Sequence, residues 1–179
     1  MASSSNSHDE DAEESRDRLI VLFRHGIAED RSADKPDAER VLTPDGHARM
    51  MKAAGGLERA FPKAQVIYSS PLVRAVQTAQ WIAKGYRSRI KVTQTDALAP
   101  GARPEDFKEL LRTIAERRII AVGHEPTLTQ AAAALLGLTS DAGGLELKKG
   151  GCYAIRIHAD GRGVLDWMLS PRILRRLAE

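Results

Sequence analysis

The chain of 179 residues is poor in cysteine and has no long apolar run, and each shortage excludes a class of protein. The single cysteine, Cys152, rules out an internal disulfide and cannot supply a cysteine-type zinc site, which suits a reducing compartment. No apolar run approaches the ~18 residues that a membrane-spanning helix needs. The first residues also lack the apolar segment of a secretory signal. These absences predict a cytoplasmic protein without a membrane partner.

Aromatic residues are also scarce, at 4% of the chain. The sequence has no basic stripe interleaved with aromatic side chains and no zinc-finger spacing, so nucleic acid is not an expected partner. Charge, in contrast, is plentiful and unevenly placed. Residues 1–17 carry six acidic residues and one arginine, whereas the whole chain has a net charge of +3. The rest of the chain is therefore strongly basic and favours an anionic partner.

The acidic segment 1–17 is rich in serine and has almost nothing to bury, so we expect a disordered tail. Residues 18–179 are long enough to form a single domain with its own hydrophobic core. The sequence contains no internal repeat, and nothing in it favours one oligomeric state.

The stretch around which the chain is organised is an apolar run, residues 19–23, followed by Arg24, His25 and Gly26. A run without polar alternation is typical of a parallel strand covered on both faces. Gly26 is expected to give the backbone the freedom to turn after the strand. Ligands of open α/β sheets bind outside the carboxyl ends of the strands, so Arg24 and His25 are predicted to face a ligand.

Strand and helix patterns alternate along the rest of the chain. Apolar runs predict further strands at residues 66–68, 90–92 and 119–122, and a closing hairpin from residues 151–158 and 163–168. Caps, prolines and apolar spacing predict helices that begin at Thr43-Pro44, Ser70-Pro71 and Ser170-Pro171 and that cover residues 104–117 and 127–136. This alternation predicts a three-layer α/β/α sandwich around a mostly parallel sheet with an antiparallel edge.

Charged or titratable side chains follow three of the predicted strands. Arg24 and His25 follow the first, His124 follows residues 119–122, and Arg74 lies in the first turn of the helix after the second. A cation is unfavourable at a helix N-terminus, so Arg74 is expected to point at an anion. Because parallel strands end on one side of a sheet, these four side chains are predicted to meet in one pocket.

Two arginines and two histidines are favourable together around a multiply charged oxyanion, and the planar donors of arginine match phosphate. His25 is the predicted nucleophile, since a neutral imidazole can attack phosphorus and carry a phosphohistidine intermediate. We expect Arg24 and Arg74 to lower the pKa of His25 below ~6.5. His124, protonated when phosphate is bound, would stabilise the transferring group. The arginines would supply the charge that Mg²⁺ supplies elsewhere, so neither a metal nor a cofactor is expected.

The strand followed by Arg24-His25-Gly26, the segment of residues 69–79 and the pair Gly123-His124 together resemble the histidine phosphatase superfamily. The small size, residues 40–46 and the run Gly123-His124-Glu125-Pro126 resemble its SixA-type phosphohistidine phosphatases. The resemblance spans about residues 19–137 and, more loosely, the closing strands. It implies that His25 is the phosphorylated nucleophile and that Arg24, Arg74 and His124 complete the phosphate pocket.

Most members of that superfamily use a carboxylic acid to protonate the leaving oxygen, often from an insertion that this chain is too short to hold. The candidates here are Glu125, Glu105 and Asp106. A missing acid fits a phosphohistidine substrate, because an imidazole can leave protonated, with a pKa near neutrality. We therefore predict dephosphorylation of phosphohistidine on a protein, such as a phosphotransfer domain.

Two other functions fit the same residues. One is a phosphatase of small phosphomonoesters, or a mutase, which must hold its phosphoenzyme away from water. The long charged segment 27–42 is expected to cover or shape the site, but it offers little lid, and this favours a phosphatase over a mutase. The other is a non-catalytic phosphate-binding module, which the presence of all four pocket residues disfavours.

Overall fold

The computed structural model describes residues 17–139 and 145–179, which form six strands and five α-helices. The strands are β1 (Arg18–Arg24), β2 (Val66–Ser69), β3 (Val92–Gln94), β4 (Arg118–Gly123), β5 (Cys152–Ile157) and β6 (Gly163–Leu169). The helices are α1 (Pro44–Ala60), α2 (Val73–Gly85), α3 (Pro104–Thr113), α4 (Thr127–Leu135) and α5 (Pro171–Leu177). The acidic tail predicted for residues 1–17 lies outside the described residues, except for Asp17.

All six strands belong to one sheet, in the order β3-β2-β4-β1-β5-β6. Strands β1 to β4 are parallel, whereas β5 runs antiparallel to β1 and β6 runs antiparallel to β5. The predicted mostly parallel sheet with an antiparallel edge is confirmed. None of the described helices is long and apolar enough to cross a membrane.

The helices cover both faces of the sheet. Leu19, Val21 and Phe23 of β1 pack in one apolar cluster with α1, α2 and α5. Ile20 and Leu22 point the other way, into a second cluster with α3 and α4. Successive side chains of a strand point to opposite faces, so a strand that is apolar throughout holds two helical layers together. This is the physical basis of the predicted α/β/α sandwich.

The register of the central strands aligns their carboxyl ends. Arg24, the last residue of β1, pairs with Gly123, the last residue of β4, and Ser69 at the end of β2 pairs with Val122. The next residues along the chain therefore leave the sheet side by side. In this way the fold brings His25, Ser70 and His124 together at the carboxyl ends of the three central strands.

Two predicted helix boundaries are corrected. The helix expected from Ser70-Pro71 begins at Val73, and its N-cap, Leu72, makes no side-chain cap hydrogen bond. The helix expected over residues 104–117 ends at Thr113, because Ile114 adopts an extended conformation and is buried.

The third predicted strand is also displaced, since β3 covers Val92–Gln94 instead of residues 90–92. In contrast, the start of α1 is as predicted, with Thr43 Oγ1 accepting a hydrogen bond of 3.0 Å from the backbone N–H of Gly46.

The role of Gly26 also differs from the prediction. Its φ is not in the left-handed region, so the turn after β1 does not need glycine's backbone freedom. A Cβ atom at this position would lie 2.7 Å from Cγ of Met50 in α1. Gly26 is therefore needed for the close packing of α1 against the start of the site.

Candidate active site

His25 sits directly after β1 and is 6% exposed. Its Nδ1 lies 2.7 Å from the carbonyl oxygen of Gly26, and its backbone N–H donates to the carbonyl of Gly123 in the neighbouring strand. A carbonyl only accepts, so Nδ1 carries the ring proton and Nε2 carries the lone pair. The local fold thus sets the tautomer that a nitrogen nucleophile requires.

His124 follows β4 and faces His25, with the two ring centroids 4.9 Å apart. Its Nε2 lies 2.8 Å from Oγ of Ser70, which follows β2. That hydroxyl also accepts a hydrogen bond from the backbone N–H of Leu72, and its oxygen has both a proton to donate to Nε2 and a second lone pair to accept from it. The other ring nitrogen, Nδ1, is buried and has no hydrogen-bond partner among the described residues, and it carries a proton whenever the ring is protonated.

Arg74, in the first turn of α2, is only 3% exposed and is held by the segment before α1. Its Nη1 donates to the carbonyl of Asp37 at 2.6 Å, and its Nη2 donates to the carboxylate of the same residue at 2.9 Å. Asp37 is itself held by Arg40, whose Nη2 lies 2.8 Å from Oδ1. Residues 27–42, which were predicted to cover or shape the site, thus contribute Asp37 as a fixed counter-charge for Arg74.

Arg24 is positioned by the segment before β5. Its Nη1 donates to the carbonyl of Leu147, and its own carbonyl accepts from the N–H of Gly150 at 3.0 Å. That N–H is shared with the carbonyl of His25, at 3.1 Å. Gly150 has a φ of +80°, a conformation that favours glycine, so this residue allows the segment to turn onto both site residues.

Three buried nitrogen atoms in this cluster have no hydrogen-bond partner among residues 17–139 and 145–179: Nε of Arg24, Nε of Arg74 and Nδ1 of His124. An unpaired buried donor costs about 1–3 kcal/mol. A tetrahedral oxyanion bound between these side chains would accept from both arginines and from the protonated ring of His124. The arrangement is therefore suited to hold phosphate against Nε2 of His25.

The pKa values of both histidines are strongly lowered. Burial is the main cause that brings the pKa of His25 to about 3, and the charges of Arg74, Arg24 and Lys149 lower it further. Burial likewise lowers the pKa of His124 to about 3, assisted by His25 and Arg74. The predicted direction for His25 is confirmed, but desolvation contributes more than the arginines to which the prediction attributed it. Both rings are neutral at pH 7.

The three carboxylates considered as general acids have different surroundings. The two oxygens of Glu125 accept backbone hydrogen bonds of 3.2 Å from Thr129 and Leu147. Asp106 pairs with Arg103 at the start of α3, and Glu105 is exposed and lines a separate cavity against α4. Their assignment as acids stays a prediction.

Two residues of the site were not predicted in their roles. Ser70 follows a strand end, the same signal that identified His25 and His124, but the sequence indicated only a helix cap. Asp37 is one of many charged residues in a long loop and had no signal of its own. Among the described residues, no group of three or more His, Cys, Asp or Glu side chains is placed to hold a metal ion.

Comparison with known proteins identifies the family of this chain. A family model of the histidine phosphatase superfamily (branch 1) matches residues 20–99. An uncharacterised protein from Picosynechococcus sp. is 34% identical over 165 residues, which cover 87% of this chain and 98% of the relative. The chain belongs to the histidine phosphatase superfamily. Its enzyme class is accordingly that of a phosphatase.

Solved structures share the fold over most of the chain. The SixA protein of Agrobacterium tumefaciens is 24% identical with a TM-score of 0.72, over 86% of this chain and 98% of that one. A SixA structure complexed with tungstate is 21% identical with a TM-score of 0.74, over 87% and 99%. A mycobacterial glucosyl-3-phosphoglycerate phosphatase is 19% identical with a TM-score of 0.71, over 87% and 100%. The same fold thus occurs in phosphatases named for protein and for small-molecule substrates.

Proposed function

We propose that this phosphatase hydrolyses phosphohistidine on a protein of the cytoplasm, through a covalent phosphohistidine intermediate on His25. The observation that carries the proposal is the orientation of the His25 ring. Its Nδ1 is bound to the Gly26 carbonyl, its Nε2 has no hydrogen-bond partner among the described residues, and its lowered pKa keeps it neutral at pH 7. A neutral, fixed imidazole beside two arginines has the properties of a phosphoryl acceptor.

In the first step the lone pair of His25 Nε2 attacks phosphorus, and a new P–N bond forms as the P–N bond of the substrate breaks. The electron pair of the broken bond stays on the ring nitrogen of the substrate. When the other nitrogen of that ring carries a proton, the leaving group is neutral imidazole. The acceptor and the leaving group are then the same chemical group, so the transfer needs no added acid.

The charge of the transferring group is met by Arg24, Arg74 and His124. Phosphoryl transfer spreads charge over the three equatorial oxygens, and the unpaired donors of these side chains are buried at the same place. A bound phosphoryl group also raises the pKa of His124 from its lowered value, because a nearby anion favours the charged ring. Tungstate, found in a SixA structure of the same fold, is a tetrahedral oxyanion of the same kind.

In the second step water attacks phosphorus. The new P–O bond forms and the P–Nε2 bond breaks, which returns neutral His25 and releases dihydrogen phosphate. The second proton of this phosphate passes to solvent. Neither step requires a carboxylic acid as proton donor. A phosphomonoester releases an alkoxide, which needs a proton, and for this reason we prefer phosphohistidine as the substrate.

The test compares two peptides of one sequence, one with phosphohistidine and one with phosphoserine at the same place. We expect kcat/KM to favour phosphohistidine by about 100-fold or more, because general acid catalysis contributes about 10²–10⁴-fold to alkoxide departure. The variant His25→Ala should lose both turnover and the acid-labile ³²P label on the protein. Equal or better hydrolysis of the phosphoserine peptide would instead support a phosphomonoester phosphatase, and ligand binding without turnover would support a binding module.

A further inference from the structure

A second feature of the molecule adjoins the candidate site. A groove of about 700 Å³ runs from Arg24 between α1, α5 and the segment before β5. Six cationic side chains line it: Arg24, Arg49, Lys148, Lys149, Arg172 and Arg175. Among the described residues, Glu146 is the one acidic residue in its lining. We call this surface the basic groove.

Most of these cations have no counter-charge of their own within residues 17–139 and 145–179. Arg49 pairs with Asp45 at 2.8 Å, and Arg24 is held by the carbonyl of Leu147. The side chains of the other four form no hydrogen bond or ion pair with any described residue. Like charges gathered without partners repel one another, so a ligand that carries several negative charges is favoured here.

The basic groove is continuous with the candidate site. Arg24 contributes both to its lining and to the cluster around His25. Lys149 lies close enough to His25 for its charge to lower the pKa of that ring. A molecule with its phosphoryl group at His25 therefore has its neighbouring atoms at the mouth of the basic groove.

The shape and lining favour a peptide segment over a small polyanion. The groove is open to solvent on one side, whereas sites for small ligands bury most of the ligand surface. The cations come from separate elements along its length, and its apolar floor is formed by Ile27, Met50, Ala53 and Pro171. Acidic side chains on an extended segment, with an apolar residue among them, match this pattern.

We propose that the basic groove binds an acidic segment of the protein substrate that flanks its phosphorylated residue. This proposal rests on the proposed function for the nature of the substrate, but the binding itself does not require turnover. The groove would then select substrates by charge, while Arg24, His25, Arg74 and His124 act on the phosphoryl group.

The first experiment measures kcat/KM for two phosphohistidine peptides that differ only in having glutamate or glutamine on both sides of the phosphorylated residue. At low salt we expect the wild-type protein to favour the glutamate peptide by about tenfold, and this preference should shrink as salt screens the charges. The double variant Arg172→Glu/Arg175→Glu should abolish the preference and leave p-nitrophenyl phosphate hydrolysis within about twofold. An undiminished preference in this variant, or none in the wild type, overturns the proposal.

A matched control reverses two charges elsewhere. Arg89 and Lys91 are exposed residues before β3, at the opposite end of the sheet, and the variant Arg89→Glu/Lys91→Glu changes the net charge equally. It should keep the wild-type preference, and loss of the preference here would assign the effect to overall charge. If Arg172→Glu/Arg175→Glu does not fold by circular dichroism, Lys148→Gln/Lys149→Gln tests the same groove.

The second experiment separates the groove from the chemistry. Fluorescence anisotropy measures binding of the unphosphorylated, fluorescein-labelled glutamate peptide, which should bind the wild type and bind Arg172→Glu/Arg175→Glu about tenfold more weakly. This result supports the basic groove even if phosphohistidine peptides are not hydrolysed, an outcome that would defeat only the proposed function. If the variant weakens binding of fructose 1,6-bisphosphate but not of the peptide, the occupant is a small polyanion and our proposal is wrong.

Discussion

Asp37 binds Arg74 twice, with its carboxylate at 2.9 Å from Nη2 and its carbonyl oxygen at 2.6 Å from Nη1. A guanidinium that is 3% exposed is costly without a counter-charge, so this contact keeps Arg74 charged and fixes its plane. Although partial burial raises it, the hydrogen bonds from Arg74 and Arg40 bring the pKa of Asp37 down to about 2. Asp37 is therefore ionised at neutral pH and has no proton to donate there.

We expect Asp37→Asn to lower kcat/KM by about tenfold, the effect of losing one charged hydrogen bond that orients Arg74. The pH profile between 5 and 8 should keep its shape, because the pKa of Asp37 lies well below this range. Steady-state kinetics over this range checks both statements. Asp34→Asn, in the same loop and without a hydrogen bond or ion pair to any described residue, is the matched control and should change nothing.

Ser70 is fully buried, and its hydroxyl forms a hydrogen bond with Nε2 of His124. Ser70→Ala should lower kcat by about tenfold, because the ring of His124 loses the partner that holds its plane. Ser69→Ala removes a hydroxyl that is equally buried and donates to the carbonyl of Ser70. Both variants should lose about 1 kcal/mol of unfolding free energy, but Ser69→Ala should retain wild-type kcat. Equal loss of kcat in both variants would show that packing, and not the contact with His124, is responsible.

The parts of the site that could be predicted are those that follow directly from strand ends. Apolar runs before His25 and His124 indicate buried parallel strands, and parallel strands end on the same side of the sheet. The register of β1 and β4 then brings the two rings together without any further information. Arg74 was identifiable because a cation in the first turn of a helix contradicts the local preference.

Asp37 could not be predicted in the same way, because residues 27–42 have no strand or long helix that gives their side chains a regular direction. The direction of Asp37 depends on the path of the whole loop. That path is set by contacts between the two ends of the loop, such as the bridge between Ala28 and Leu42 and the hydrogen bond from Arg40 to the carbonyl of Glu29. Such contacts are visible only after folding.

The lowered pKa values of His25 and His124 predict that the protein is less stable in acid. Both pKa values fall from about 6.5 in the unfolded chain to about 3 in the folded one, so the unfolded chain binds more protons between these values. Stability is therefore complete above about pH 6.5 and decreases as the pH falls toward 3. Each ring contributes at most about 1.4 kcal/mol per pH unit.

Urea unfolding at pH 7.5, 6.0 and 5.0 measures this dependence. The variant His124→Gln removes one of the two titrating rings, so its unfolding free energy should change less with pH than that of the wild type. The informative quantity is the difference in pH dependence between the wild type and the variant, because the carboxylates contribute equally to the unfolding free energy of both proteins. Identical pH dependence would mean that His124 is not buried as a neutral ring.

Glu125 follows His124 in the chain, and its substitution tests the one carboxylate among the acid candidates that adjoins a site residue. Its oxygens accept from the N–H groups of Thr129 and Leu147, and Leu147 in turn accepts from Arg24. The amide of glutamine has a single oxygen, so it can accept one of these two backbone hydrogen bonds and loses the other. We therefore expect Glu125→Gln to cost about 1 kcal/mol of stability and to change kcat by less than about threefold, for phosphohistidine and phosphoserine peptides alike.

A general acid would behave differently. Its loss lowers kcat on a phosphomonoester by about 10²–10⁴-fold and removes the fall in kcat as the pH rises through the pKa of the acid. The measurement is kcat on the phosphoserine peptide from pH 5 to 8, for the wild type, Glu125→Gln and, as an exposed control, Glu105→Gln. A drop of 100-fold or more in Glu125→Gln alone, with a flattened profile, would make Glu125 the proton donor. It would also remove the main reason to prefer phosphohistidine as the substrate, because an enzyme with a working acid can release an alkoxide as readily as an imidazole.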